Sequence, residues 1–154
     1  MSLFFLNIKV VNPIKPEIKN FLCSGKTLKI INNYGEVKKK QLMFSDDLLK
    51  VFAKKENEKQ PTKNKYIIET VNIKQVVKGH ATDAFKKSKG LFRSIPKPEV
   101  CFCIFGPASI DGIKVINVQC DSEKDVDKWI KYIEIVIDYF KKTHAIQNDV
   151  QFKK

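Results

Sequence analysis

The sequence predicts a mainly β fold that ends in one long α-helix. About seven short apolar segments follow one another, separated by turn residues or charged stretches. They do not alternate with helical segments, as strands do in a parallel α/β sheet. The last third of the chain instead carries apolar residues at helical spacing. This order is typical of an antiparallel barrel or sandwich capped by a helix.

The predicted strands are short and closely spaced. They lie near residues 28–30 and at 37–45, 48–54, 65–69, 73–78, 100–105 and 113–120. The sequence NNYG at 32–35 predicts the turn of the first hairpin, and SDD at 45–47 predicts the next turn. The charged stretch 54–65 contains Pro61 and is predicted to be a loop, while 106–112 is predicted to be a turn.

Two helices are predicted in the second half of the chain. A short one begins at Thr82 or Asp83 and ends near Gly90. The long one follows an N-cap at Asp121 or Ser122 and ends near residue 144. Its apolar stripe, expected to pack on the sheet, consists of Val126, Trp129, Ile130, Ile133, Val136, Ile137 and Phe140.

The length of 154 residues suits one domain with a core of its own. We expect this domain at 23–143, with an arm or short strand at 1–22 before it and a tail at 144–154 after it. The first residues lack the basic segment of a secretory signal, and Ser2 stands where myristoylation requires glycine. Membrane binding is therefore expected to come from the folded surface.

The net charge of +12 predicts an anionic partner, namely nucleic acid, an acidic protein or an anionic membrane. Nearly all basic residues are lysines, since Arg93 is the only arginine. Three lysines in a row, at 38–40, enter the second strand of the first hairpin. A hairpin of this kind places ammonium groups at one end of a sheet.

No catalytic or metal site is predicted. The chain has no C-x-x-C pair, and His80 and His144 lie outside zinc-ligand spacing. It also lacks a nucleophile elbow and a phosphate-binding loop, so we expect a non-enzyme without a cofactor. We expect reduced, structural cysteines and a cytoplasmic protein. The cysteines are Cys23, Cys101, Cys103 and Cys120.

These features resemble the pleckstrin homology (PH) domain over roughly residues 25–142. The lysine-rich first hairpin and the terminal helix with its single Trp129 are both similar to that family. The segments VVKGHAT at 76–82 and PEVCFCI at 98–104 resemble the middle of the PH domain of delta-type phospholipase C. The resemblance implies a bent seven-stranded antiparallel barrel, with one end closed by the helix and the other open to anionic head groups.

The resemblance also implies a head-group site. Lys29 matches a family lysine late in the first strand, and Lys38 and Lys40 match the basic pair of the second. Lys54 and Lys55 follow the third strand, where basic residues reach the head group in the phospholipase-type domain. Further membrane contacts are expected at the open end, from Lys26, Tyr34 and Lys39.

Lys40 stands where the family usually has arginine, which offers a bidentate fork to phosphate, whereas lysine is a point charge. Ile31 replaces a second lysine of the phospholipase-type site. We therefore expect a loosely selective, peripheral membrane module for phosphoinositides or phosphatidic acid, at the cytoplasmic face. The alternatives are a protein–protein interaction module and, less favoured, a nucleic-acid binder, which would need exposed aromatic residues among its lysines.

Overall fold

The computed structural model of the protein describes residues 13–59, 61, 64–87 and 95–152, with side chains as far as residue 143. Within these residues there are seven β-strands and three α-helices. The strands are β1 Lys26–Ile31, β2 Val37–Phe44, β3 Lys50–Lys54, β4 Ile67–Glu69, β5 Gln75–Lys78, β6 Cys101–Ser109 and β7 Gly112–Gln119. The helices are α1 Pro16–Cys23, α2 Ala84–Lys87 and α3 Glu123–Phe152.

The seven strands form one antiparallel sheet in the order β4-β3-β2-β1-β7-β6-β5. The edge strand β4 approaches β6, the strand next to the other edge, because a Cβ on Gly106 of β6 would lie 3.2 Å from Ile68 of β4. Glycine at this position avoids a tight contact. The predicted fold class, an antiparallel sheet of seven strands with a C-terminal helix, is confirmed.

The core lies between the sheet and one face of α3. Trp129 is 1% exposed, and its ring centroid lies 4.9 Å from that of Phe21 in α1 and 6.4 Å from that of Phe102 in β6. Ile133 and Val136 continue the stripe along α3 and are fully buried. The predicted packing of this helix on the sheet is therefore confirmed.

Helix α3 begins where the sequence predicts but ends later than predicted. The helix begins as expected, because the Ser122 hydroxyl accepts a hydrogen bond from the backbone N–H of Asp125 at 3.2 Å, as an N-cap does. It does not end near residue 144 but continues to Phe152. Lys141 and Lys142 therefore lie inside the helix, where Lys142 pairs with Asp138.

The segment before β1 contains a helix where we expected an arm or short strand. Pro16 occupies the first turn of α1, where a helix does not need the missing N–H. Ile18 and Leu22, one turn apart, are buried in the main core. Residues 1–12 of the predicted arm lie outside the described residues.

Two other boundaries differ from the predictions. Strand β6 continues to Ser109 through a register shift between Phe105 and Ala108, so 106–112 is not one turn. The predicted short helix begins at Ala84, and the residues toward its predicted end at Gly90 lie outside the described residues.

All four cysteines are free. Cys101 and Cys103 point to one face of β6 and are fully buried, as their spacing predicts. Burial raises the pKa of the Cys101 and Cys120 thiols to about 12 and that of Cys103 to about 11. Cys23 is only half-buried.

Replacing Ile133 by alanine should lower the free energy of unfolding by about 2–5 kcal/mol, because it leaves a cavity under α3. The exposed neighbour Glu134→Ala should change it by no more than about 0.5 kcal/mol. Urea denaturation followed by circular dichroism measures both. Equal stability of the two variants would contradict the core position of α3.

The thiols should differ sharply in reactivity toward a disulfide reagent at pH 8. A thiol with a raised pKa carries little thiolate at that pH, so the three buried cysteines should react slowly in the native protein. Burial raises the pKa of Cys23 as well, but its thiol is only half-buried, so Cys23 should account for the faster phase, which Cys23→Ser should remove. Rapid reaction of the remaining thiols in this variant would contradict the burial of Cys101, Cys103 and Cys120.

Candidate anion-binding site

The alternation of β2 places Lys38 and Lys40 on the core face of the sheet. Lys38 lies opposite Ile30, and Lys40 lies opposite Leu28, on β1. Directly opposed residues share a face, so both lysines continue the row that Leu42 and Phe44 begin in the core. This row is apolar in the core and basic beyond it.

The sheet is open on the side of these two lysines. The ladder between β2 and β3 ends where Gln41 pairs with Lys54, so residues 37–40 of β2 have no partner in β3. The connection 55–66 leaves the sheet at this point and returns through the short 3-10 turn Asn64–Tyr66 to β4. This connection supplies the wall of a recess.

The loop between β1 and β2 closes the recess on its other side. The side-chain oxygen of Asn32 accepts hydrogen bonds from the backbone N–H groups of Tyr34 (2.9 Å) and Glu36 (3.0 Å). Gly35 has a φ of 86°, which suits glycine in a tight turn. Asn32 itself lines the recess, so the turn chemistry of the NNYG sequence shapes the site directly.

We call this recess the lysine pocket. It encloses about 80 Å³. The pocket is large enough for a group the size of a phosphate. Five lysines and one glutamate supply its charges. Its lining consists of Asn32, Lys38, Lys40, Lys54, Lys55, Glu58, Pro61, Lys65 and Tyr66.

Tyr66 holds two of these lysines close together. The Nζ atom of Lys40 lies 4.7 Å from the ring centroid, and that of Lys65 lies 5.0 Å from it. Cation–π attraction of about 0.5–1 kcal/mol each offsets part of the repulsion between the ammonium groups. The ring is 8% exposed, and burial, with the charge of Glu36 second, raises the pKa of its phenol. Tyr66 is therefore a neutral platform at physiological pH.

Lys54 is held differently from the other pocket lysines. It is 8% exposed, and its ammonium donates hydrogen bonds to the side-chain oxygen of Gln41 (2.7 Å) and the carbonyl of Lys55 (3.4 Å). These bonds reduce the cost of burying the charge. Lys54 thus adds positive charge to the wall, while Lys38 and Lys55 are exposed to solvent.

Glu58 brings a carboxylate into the lysine pocket. Its Oε2 atom is buried and has no hydrogen-bond partner among the described residues. Its backbone N–H is bonded to the carbonyl of Lys55 at 3.1 Å, which holds the glutamate in the wall. A negative group at this point opposes the binding of an anion.

The structure does not bring all the predicted site residues together. Lys29 of β1 lies opposite Lys39, on the face away from Lys38 and Lys40, so it does not line the lysine pocket. Lys26 lies at the other end of β1, with its Nζ 5.4 Å from the ring centroid of Phe21. Tyr34 is 80% exposed at the tip of the first loop, where a membrane contact was expected.

Two charged residues of the pocket, Glu58 and Lys65, were not predicted for the site. Glu58 lies in the stretch 54–65, which was interpreted as a charged loop, and Lys65 lies where this stretch meets the predicted strand 65–69. A usable signal was the aromatic Tyr66 directly after Lys65 and before a β pattern, since a tyrosine at a strand entrance is often packed. No feature of the sequence indicates that the side chain of Glu58 points into the pocket.

A buried asparagine anchors the base of the first loop. Asn117 of β7 is 1% exposed and donates to the carbonyl of Ile31 at 2.9 Å. Its side-chain oxygen accepts from the hydroxyl of Thr82 at 2.7 Å and from the thiol of Cys103 at 3.4 Å. The last residue of β1 is thereby tied to β7, which positions the loop beside the lysine pocket.

Other features of the described residues offer no competing site for an anion. A larger recess of about 350 Å³ lies between α1 and α3, where Glu17 and Asp138 offset the lysines of its lining. The described residues contain no cluster of three or more potential metal ligands. None of their helices is long and apolar enough to cross a bilayer.

The sequence matches the family model of the GAC PH domain over residues 10–141. Because this match covers most of the chain, the protein belongs to the PH domain class. Within that class it is a member of the GAC PH domain family. The predicted PH resemblance is confirmed. None of the curated proteins compared with the chain matches it.

Solved structures with the same fold agree with this assignment. S. officinalis PLC21 superposes with a TM-score of 0.56 at 14% identity, over 81% of this chain and 16% of that one. The PH domain from TgAPH gives 0.54 at 11% identity, over 88% and 94%. Inner membrane complex sub-compartment protein 1 from Toxoplasma gondii gives 0.53 at 12%, over 82% and 96%. At these identities the likeness concerns the fold alone, and the chain spans only 16% of the PLC21 chain.

Replacing Asn117 by alanine should lower the free energy of unfolding by about 1–3 kcal/mol, because it leaves the Ile31 carbonyl and the Thr82 hydroxyl without this partner. The exposed loop residue Asn57→Ala should have almost no effect. Thermal and urea unfolding test this difference. An unchanged midpoint for the Asn117 variant would show that the anchor contributes little.

Proposed function

We propose that this protein is a membrane-targeting module that binds the phosphate of anionic phospholipid head groups in the lysine pocket. It would act as a peripheral protein at the cytoplasmic face of a membrane. PH domains are modules of lipid or protein interaction, which is the class that the family match supports. The observation that carries the lipid function is the convergence of five lysines from β2, β3 and the following connection on one recess.

The size of the charge effect is sufficient for membrane binding. Each basic residue near an anionic leaflet contributes about 1 kcal/mol. This attraction decays over a Debye length of about 8 Å at physiological salt, so lysines that share one pocket contribute together. The lysines on other surfaces, such as Lys26 and Lys29, contribute less to the same docked orientation.

The pocket suits the phosphate group of a lipid head group. Its lining contains lysines and no arginine, so it offers point charges without a bidentate fork. A space of about 80 Å³ accepts one phosphate. Phosphatidic acid and phosphoinositides both expose a phosphate monoester, whereas phosphatidylserine does not. We therefore expect binding to the first two classes with modest discrimination between them.

Liposome co-sedimentation with these lipids, at matched total lipid charge, tests the proposal. Lys40→Gln should lower the affinity for phosphatidic acid vesicles about fivefold, the equivalent of about 1 kcal/mol. Lys124→Gln removes an exposed charge at the start of α3, at the opposite end of the sheet, and should bind like wild type. Lys29→Gln should lose less than Lys40→Gln.

Three results would contradict the proposal. Folded wild-type protein that ignores all the anionic vesicles would exclude the function. Equal losses for the variants at Lys29, Lys40 and Lys124 would indicate a diffuse charge effect without a pocket. Oligonucleotides that displace the protein from vesicles would favour the nucleic-acid alternative.

Neutralising the pocket carboxylate should have the opposite effect. Glu58→Gln should raise the affinity for phosphatidic acid vesicles about fivefold, because a negative group no longer competes with the phosphate. Glu56→Gln is the matched control, since this exposed residue lies on the same loop outside the pocket lining. An equal gain from both variants would mean that only net charge matters.

A further inference from the structure

The tip of the β6–β7 hairpin is apolar and exposed. Ile110 is completely exposed (102%), and Ile113 is 58% exposed. Two-residue hairpin turns favour glycine, asparagine and aspartate, so isoleucine at this position is not a requirement of the turn. The turn is held by Ser109, whose hydroxyl donates to the carbonyl of Gly112 and accepts from the N–H of Asp111. The tip therefore presents an apolar side chain to solvent on an ordered support.

This tip belongs to the same end of the sheet as the lysine pocket. Ile31, the last residue of β1, pairs with Asn117, so the beginning of β7 extends past β1 toward the loop 32–36. Ile113 lines a shallow cleft of about 60 Å³ together with Asn32, Lys65 and Tyr66. These three residues also line the lysine pocket, so the apolar and basic surfaces are continuous.

We propose that Ile110, supported by Ile113, inserts into the acyl region of an anionic membrane while the lysine pocket binds a lipid phosphate of the same leaflet. This inference rests on the proposed function. An anionic leaflet has negative charge at its surface and hydrocarbon just beneath it. This end of the protein carries lysines that match the charge and isoleucines that match the hydrocarbon.

Two neighbouring residues set the depth of insertion. The carboxylate of Asp111 adjoins Ile110 in the turn and is costly to bury, so it stays at the level of the head groups. Tyr34 is 80% exposed at the tip of the adjacent loop, and tyrosine favours the interface between water and hydrocarbon. The insertion is therefore limited to the side chains at the hairpin tip.

Tryptophan fluorescence tests the insertion directly. The resident Trp129 is 1% exposed in the core, so quenchers in lipid chains do not reach it. Ile110→Trp should shift to the blue and be quenched on phosphatidylcholine vesicles that contain phosphatidic acid and brominated acyl chains. Leu49→Trp is the control, because Leu49 is 50% exposed in the β2–β3 turn at the opposite end of the sheet. It should remain unquenched.

The outcomes separate this inference from the proposed function. If Ile110→Trp co-sediments with these vesicles but is not quenched, insertion is excluded and lysine-pocket binding stands. If the wild-type protein does not co-sediment, both fail. Quenching of Leu49→Trp to the same extent would also exclude the proposed orientation.

Affinity supplies a second measurement. Ile110→Ser should bind about tenfold more weakly, and the difference should persist at high salt, because burial of apolar surface is not screened. Leu49→Ser should bind like wild type. Wild-type affinity of the Ile110 variant at high salt would overturn the inference.

Discussion

Strand β2 connects the stability of the fold to the position of its charge. Leu42 and Phe44 are buried in the main core, and the strand period of two then determines that Lys38 and Lys40 lie on the same face. A shift of one residue would expose the apolar pair and move the lysines to the other surface. Core packing at one end of β2 thus maintains the basic surface at its other end.

Aromatic and polar side chains hold the ammonium groups of the lysine pocket in place. Tyr66 lies beneath the ammonium groups of Lys40 and Lys65, and Gln41 binds that of Lys54. The connection after β3 brings a single carboxylate, Glu58, among these charges. The ammonium groups in this pocket repel one another, and a bound phosphate would reduce that repulsion. The exposed Ile110 at the tip of the β6–β7 hairpin lies at the same end of the sheet and adds an apolar contact to the basic surface.

Features that depend on local chemistry were predicted more reliably than features that depend on contacts between distant residues. The turn at 32–35 and the cap at Ser122 depend on local chemistry, and the structure shows both. The segment before β1 was predicted to be an arm or short strand, although Pro16 suits the first turn of a helix, where proline is favoured. Lys29 was placed in the pocket from a resemblance in position, but register depends on the partner strand.

The sequence by itself determined the order of strands, the terminal helix and the basic character of the first hairpin, because these follow from local periodicity and composition. Only the tertiary structure decided that Lys65 and Glu58 meet in the lysine pocket, and that Lys29 does not line it. Such meetings depend on strand register and on the path of a long connection, which are set by packing between residues distant in the chain.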